Sequence, residues 1–158
     1  MSQITHVSLT KKTIKFFRPV ILVMMRSWWF ITRPKTKGVK VMILCGNEIL
    51  LIKNTYGYNY ILPGGGIHKG ELPEDAARRE VSEEVGIQLT NITALPPFIA
   101  YQEYKEDTVH SFHGEVASKD FILDKVEIDI AEWFPLDKLP KIGSVSDRII
   151  KTYQTQNI

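Results

Sequence analysis

LPGGGIHKGELPEDAARREVSEEVGI, residues 62–87, decides how the other residues of this 158-residue chain are read. Its second half has the marks of a helix. Pro73 is preset for a first helical turn, Glu74 and Asp75 place negative charge at the N-terminal end of the dipole, and Gly86 stands where a C-terminal cap belongs. The spacing therefore predicts a helix over Pro73–Val85. At about 100° per residue, Glu83 falls roughly 60° to one side of Glu80 and Glu84 roughly 40° to the other, so three carboxylates share a narrow face. Ala77, Val81 and Val85 form the adjacent apolar stripe that would hold the helix on a core.

Like charges at these spacings cost a helix about 0.2–0.5 kcal/mol per pair, and partial burial adds to the conflict. A divalent cation removes it, and hard carboxylate oxygens suit Mg²⁺ or Mn²⁺. Ahead of the helix, Tyr58–Leu62 reads as a short strand, and Pro63–Gly70 as a loop in which Gly64, Gly65 and Gly66 let backbone come close to a phosphate. Strand, glycine loop and acidic helix together describe a place for a metal-bound polyphosphate. A solvated acidic face would account for the Glu83-Glu84 pair alone, but not for the glycines or for Glu71 at its distance.

Gly65, five residues, Glu71, seven residues and then Arg79-Glu80-Val81-Ser82-Glu83-Glu84-Val85-Gly86-Ile87 match the Nudix box throughout, so the chain resembles a Nudix hydrolase. The resemblance implies an α/β fold, an α/β/α sandwich around a mixed β-sheet, and metal-dependent hydrolysis of a nucleoside diphosphate linked to another moiety. It implies that Glu80, Glu83 and Glu84 ligate Mg²⁺ or Mn²⁺, one of them doubling as base for the attacking water. Arg79 would pair with Glu71 to hold loop and helix in register, and Gly65 would shape the turn. Many relatives carry Glu where this chain has His68, whose imidazole adds no negative charge when neutral. Glu127, six residues before Trp133, stands about where several relatives supply a further acidic ligand or base; Glu103, Glu115 and Asp129 compete for that place.

The charge is unevenly spread. Residues 1–40 hold nine of the twenty Lys and Arg and no acid, leaving eleven basic residues against eighteen acids beyond them. Residues 1–37 thus read as a basic, apolar and helical appendage, and 38–158 as a Nudix hydrolase domain, with Arg33–Gly38 as linker. Arg18, Pro19 and Arg26 interrupt the apolar run Ile14–Thr32, which makes a poor membrane span, and no small-residue cleavage site follows it. An amphipathic helix fits two places. It would dock on protein, its own domain or a second copy in a homodimer, or residues 11–33 would give peripheral membrane contact through Trp28, Trp29 and Phe30 among basic residues. The expected partner is a nucleotide or nucleotide derivative, and there is no specific nucleic-acid motif. The single Cys45 lies in an apolar run, where it reads as buried and inert and suits a reducing cytoplasm.

Elsewhere the chain alternates as strands do. Val39–Cys45 and Glu48–Lys53 flank a Gly46-Asn47 hairpin turn, and Leu89–Lys105 and Val109–Leu123 read as long strands, with Pro96-Pro97 marking an edge or bulge. The run Tyr56-Gly57-Tyr58-Asn59-Tyr60 reads as aromatic packing on the sheet, with rings offered to a base or sugar as the alternative, and Tyr101 and Tyr104 are too weak a cue to set a substrate. His110 and His113, three apart on a strand, point to opposite faces and read as structural. Residues 127–141 should give a strand holding Trp133 and Phe134, and 144–154 a closing helix on one sheet face, with Ser144 capping and Asp147 reaching back. Two other readings differ in class or place: a catalytically silent nucleotide-binding module, which the full acidic set argues against, and a membrane-tethered hydrolase.

Overall fold

A computed structural model describes residues 35–54, 57–102, 104–123 and 128–156. In chain order these form β1 (Lys35–Cys45), β2 (Glu48–Asn54), α1 (Pro73–Val85), β3 (Thr93–Gln102), β4 (Lys105–Glu115), β5 (Ile128–Pro135) and α2 (Ser144–Gln156). The sheet runs β3-β4-β1-β2-β5. β1 and β4 are parallel, and the other neighbours antiparallel.

The apolar runs of β1 and β2 follow from burial on both faces. Val39, Val41 and Ile43 of β1 turn to one side and join Ala76, Ala77, Val81 and Val85 of α1 in one core. Met42 and Leu44 turn to the other and join Ile149 and Ile150 of α2. Each fully buried Val or Ile contributes roughly 1.5–3 kcal/mol relative to exposure. The result is the expected α/β/α sandwich around a mixed sheet.

β1 and β2 pair only beside their turn, at Leu44↔Ile49 and Cys45↔Glu48. Farther along they part, and the chain ahead of α1 fills the gap. Ile52 and Ile61 exchange both backbone hydrogen bonds, at 2.9 and 2.8 Å. Residues 63–67 then run antiparallel to β1: Val41 N–H donates to Pro63 O, Val39 N–H to Gly65 O, and Ile67 N–H to Lys37 O. The glycine loop is therefore held along the sheet.

Several boundaries move. Lys35–Gly38, read as linker, is the start of β1, because β4 supplies partners as far as Lys35↔Glu106. Tyr58–Leu62 is not a strand: Ile61 bridges Ile52 and Tyr60 bridges Ile142. The second long strand begins at Lys105 and ends at Glu115, and a register shift between Leu95 and Phe98 accommodates Pro96-Pro97. Cys45, at the hairpin end, is half-buried. The N-terminal helix, with its docking and membrane contact, and Glu127 lie outside the described residues. Among the described residues, no helix is long and apolar enough to cross a membrane.

Candidate active site

α1 spans the range its sequence predicts. Leu72 enters it extended and without a side-chain cap, Ala76 N–H donates to Leu72 O at 3.0 Å, and Gly86 ends it in the left-handed region at φ 67°. The three carboxylates on its face meet different surroundings. Glu84 is 7% exposed and accepts the Gly64 N–H at 2.7 Å. The Glu80 side chain is 14% exposed and that of Glu83 is 60% exposed. Both accept from one nitrogen of Arg79, Nη1, at 2.8 and 3.1 Å.

Arg79 is the hub of the site. Its Nε and Nη2 grip Glu71 at 2.8 and 3.0 Å, and Nη2 also donates to Gly66 O at 3.0 Å. The sequence-predicted pair is thus formed, and it ties loop to helix. The Arg79 hydrogen bonds, assisted by the backbone N–H of His68, hold the Glu71 carboxyl at about 2, well below its ordinary range. In return Glu71, and after it Glu80 and Glu83, push the guanidinium further toward its charged form.

The glycines have two separate reasons to lack side chains. A Cβ on Gly64, at φ +128°, would lie 2.3 Å from Val39 O, so the loop is pressed against β1. A Cβ on Gly65 would lie 2.6 Å from the Glu80 carboxylate. His68 contributes backbone to Glu71 while its exposed imidazole stands 3.8 Å from that carboxylate.

Lys40 lies outside the motif and enters the site from β1. Its Nζ donates to Leu62 O at 2.9 Å and to Gly64 O at 2.7 Å. Burial pushes its pKa below the usual lysine value, while Glu84, Glu80 and Asp107 pull it back. The signal was present: a charged residue in the apolar run VKVMILC, on the core-facing side shared with Met42 and Leu44. Nearby, Leu62 N–H donates to Ser146 Oγ of α2 at 2.9 Å. A cavity of about 430 Å³ opens here, between Gly64–Gly66, the β1–β4 face with Lys40 and Asp107, and the start of α2.

Other candidates stand apart. Glu115 is exposed at the end of β4 opposite Leu44, and Asp129 is exposed on the edge strand β5. His113 packs edge-on against Tyr153, and His110 pairs with Val39 across β4 and β1. Tyr60 packs on Phe134 and donates to Glu132. Tyr101 and Tyr104 are exposed. Among the described residues, no three acids, histidines or cysteines converge closely enough to enclose an ion; Glu80 and Glu83 meet at Arg79 instead.

Comparison with known proteins agrees with this fold. The chain is 30% identical over 124 residues to the NAD-capped RNA hydrolase NudC of Pseudomonas aeruginosa, covering 72% of this chain and 42% of that protein. It thus spans about two fifths of the length of that relative. It is 35% identical over 118 residues to the ADP-ribose pyrophosphatase of Methanocaldococcus jannaschii, covering 68% of this chain and 66% of the other. Its fold matches the crystal structure of a MutT NUDIX hydrolase from Burkholderia pseudomallei with a TM-score of 0.70 at 24% identity, over 75% of this chain and 98% of that one. The family model of the NUDIX domain matches residues 34–153, and the chain belongs to that family.

Proposed function

We propose that the protein is a divalent-metal-dependent hydrolase that cleaves the phosphoanhydride bond of a nucleoside diphosphate linked to another moiety. One observation carries the reading: Glu80 and Glu83 turn their oxygens onto a single cationic nitrogen, on the turn of helix that also presents buried Glu84. The guanidinium nitrogen marks a place where negative side chains gather around positive charge. An all-oxygen donor set of this kind fits Mg²⁺ or Mn²⁺.

Glu80, Glu83 and Glu84 are the residues that would hold the ion. A bound ion of this class supplies polarisation of a phosphoryl oxygen and a more acidic water. Glu71 fixes Arg79, and Arg79 fixes Gly66 O, so the loop keeps its distance from the helix while substrate enters. Gly64, Gly65 and Gly66 bring loop backbone alongside the diphosphate. One of the acids takes the proton of the attacking water; Glu127 is a further acid for that task. The 430 Å³ cavity beside the loop is in the ordinary size range of small-molecule sites and would receive the nucleoside.

The relatives point to the substrate class. One is named for NAD-capped RNA and another for ADP-ribose, and both substrates contain a nucleoside diphosphate joined to a second group. We extend that class to this chain, with a hydrolase domain that takes in β1 from Lys35, the residues before it as an appendage, and a reducing cytoplasm in keeping with one half-buried cysteine. Purified protein with Mg²⁺ or Mn²⁺ is tested against NAD, ADP-ribose, nucleotide sugars, deoxynucleoside triphosphates and capped RNA. Cleavage between the two phosphates of at least one of them is expected. Failure to hydrolyse any of them with either ion overturns the reading and leaves a binding module.

A further inference from the structure

We propose that Lys40 is a positioning residue of this site: its ammonium fixes the peptide that holds Glu84 in place. The inference rests on the hydrolase reading above and adds a residue from outside the box.

The argument starts at the peptide bond between Pro63 and Gly64. Its carbonyl, Pro63 O, accepts from Val41 N–H at 2.9 Å, and its N–H donates to Glu84 at 2.7 Å. The flanking carbonyls belong to Leu62 and Gly64, and Lys40 Nζ binds both, at 2.9 and 2.7 Å. The peptide that meets Glu84 is therefore braced on each side by the same ammonium. Gly64 has little room to shift, since a Cβ there would lie 2.3 Å from Val39 O, one residue before Lys40. Glu84 itself is 7% exposed, so water cannot readily replace the Gly64 N–H as its partner.

A positive charge near Glu84 and Glu80 would by Coulomb's law weaken cation binding, so a lysine here is a liability unless it does something else. Two short bonds to loop carbonyls are that other role. Its geometry also differs from a substrate contact: Leu62 O and Gly64 O, which accept from it, are backbone oxygens of the loop. Removing the ammonium frees two carbonyls and lets the Pro63–Gly64 peptide turn. The Gly64 N–H that meets Glu84 then moves with it.

Mn²⁺ binding followed by electron paramagnetic resonance tests this without turnover, in wild type, Lys40→Met and Lys40→Arg. Lys40→Met is expected to raise the Mn²⁺ dissociation constant at least fivefold, although charge removal alone would lower it. On the best substrate, kcat should fall at least tenfold with KM within threefold, and Lys40→Arg should regain part of both losses. Unchanged or tighter Mn²⁺ binding by folded Lys40→Met overturns the proposal, as does a rise in KM with kcat intact, which would make Lys40 a substrate contact. If Lys40→Met does not fold, Lys40→Gln is judged by the same criteria. Wild type that neither binds Mn²⁺ nor hydrolyses any substrate would instead overturn the hydrolase reading.

Discussion

Arg79 and Glu71 face each other through two parallel hydrogen bonds, Nε to Oε1 at 2.8 Å and Nη2 to Oε2 at 3.0 Å, across the seven residues that separate them. Paired, planar contacts of this kind give direction as well as strength. They fix Glu71 in its charged form, holding the carboxyl at about 2 against an ordinary 4.5. The folded state thus binds the proton less readily than the unfolded chain. Stability from this group is fully present above pH 4.5 and is lost as pH falls toward 2. Denaturation midpoints of the wild type should drop through that window, and those of Glu71→Gln should start lower and fall less steeply. An equally steep fall in the variant would mean another group is titrating.

Gly64 and Gly65 are adjacent, yet alanine should do different things at each. On Gly64 the new carbon meets backbone, Val39 O at 2.3 Å, at a φ of +128° that side chains rarely adopt. Gly64→Ala should therefore lose several degrees of melting temperature or fail to fold. On Gly65 the carbon meets the end of a side chain, the Glu80 carboxylate at 2.6 Å, which can swing away. Gly65→Ala should fold near normally but turn over at least tenfold more slowly, about 1.4 kcal/mol of barrier. Melting curves and rates measured together separate the two.

How much of this was legible in sequence depends on how local each cause is. α1 was readable to both ends because Pro73 and Gly86 act on their own backbone, and the Arg79–Glu71 pair because the box spacing carries it. The sequence pattern of β1 stops short: Lys35–Gly38 is polar and gains strand form from β4, about seventy residues on, and from the loop at Gly66 and Ile67. The Tyr58–Leu62 segment has β-rich composition but is divided between bridges to Ile52 and Ile142, a tertiary choice no local pattern encodes. The different burial of Glu80, Glu83 and Glu84 could not be read from helical angles, since it depends on where the loop crosses the helix. Lys40 was visible as a charge in an apolar run, but its acceptors lie over twenty residues away.

Ser146 should prove to be a stabilising contact remote from the box. It is 1% exposed, and its hydroxyl accepts the N–H of fully buried Leu62 at 2.9 Å, joining the start of α2 to the glycine loop. Ser146→Ala leaves that N–H unpaired, at a cost of about 1–3 kcal/mol. Urea denaturation should show this loss with an unchanged slope. A loss below 0.5 kcal/mol, roughly the scatter of surface substitutions, would mean that the N–H finds another partner.

Glu83 and Glu84 are neighbours on α1, and removing each should separate stability from metal binding. Glu83 is well exposed and leans on Arg79 at 3.1 Å, so Glu83→Ala should change metal-free stability by no more than about 0.5 kcal/mol. Glu84 is buried on the Gly64 N–H, so Glu84→Ala strands a buried donor and should cost about 1–3 kcal/mol before any ion is added. Manganese then supplies the second measurement. A ligand at a hundred times its dissociation constant stabilises the folded state by about 2.7 kcal/mol, so EDTA-treated wild type should gain about that much on saturation with Mn²⁺. Both variants should lose most of the gain, whatever their starting stability, and both should turn over at least tenfold more slowly. If either keeps the full Mn²⁺ increment, that carboxylate is not a ligand.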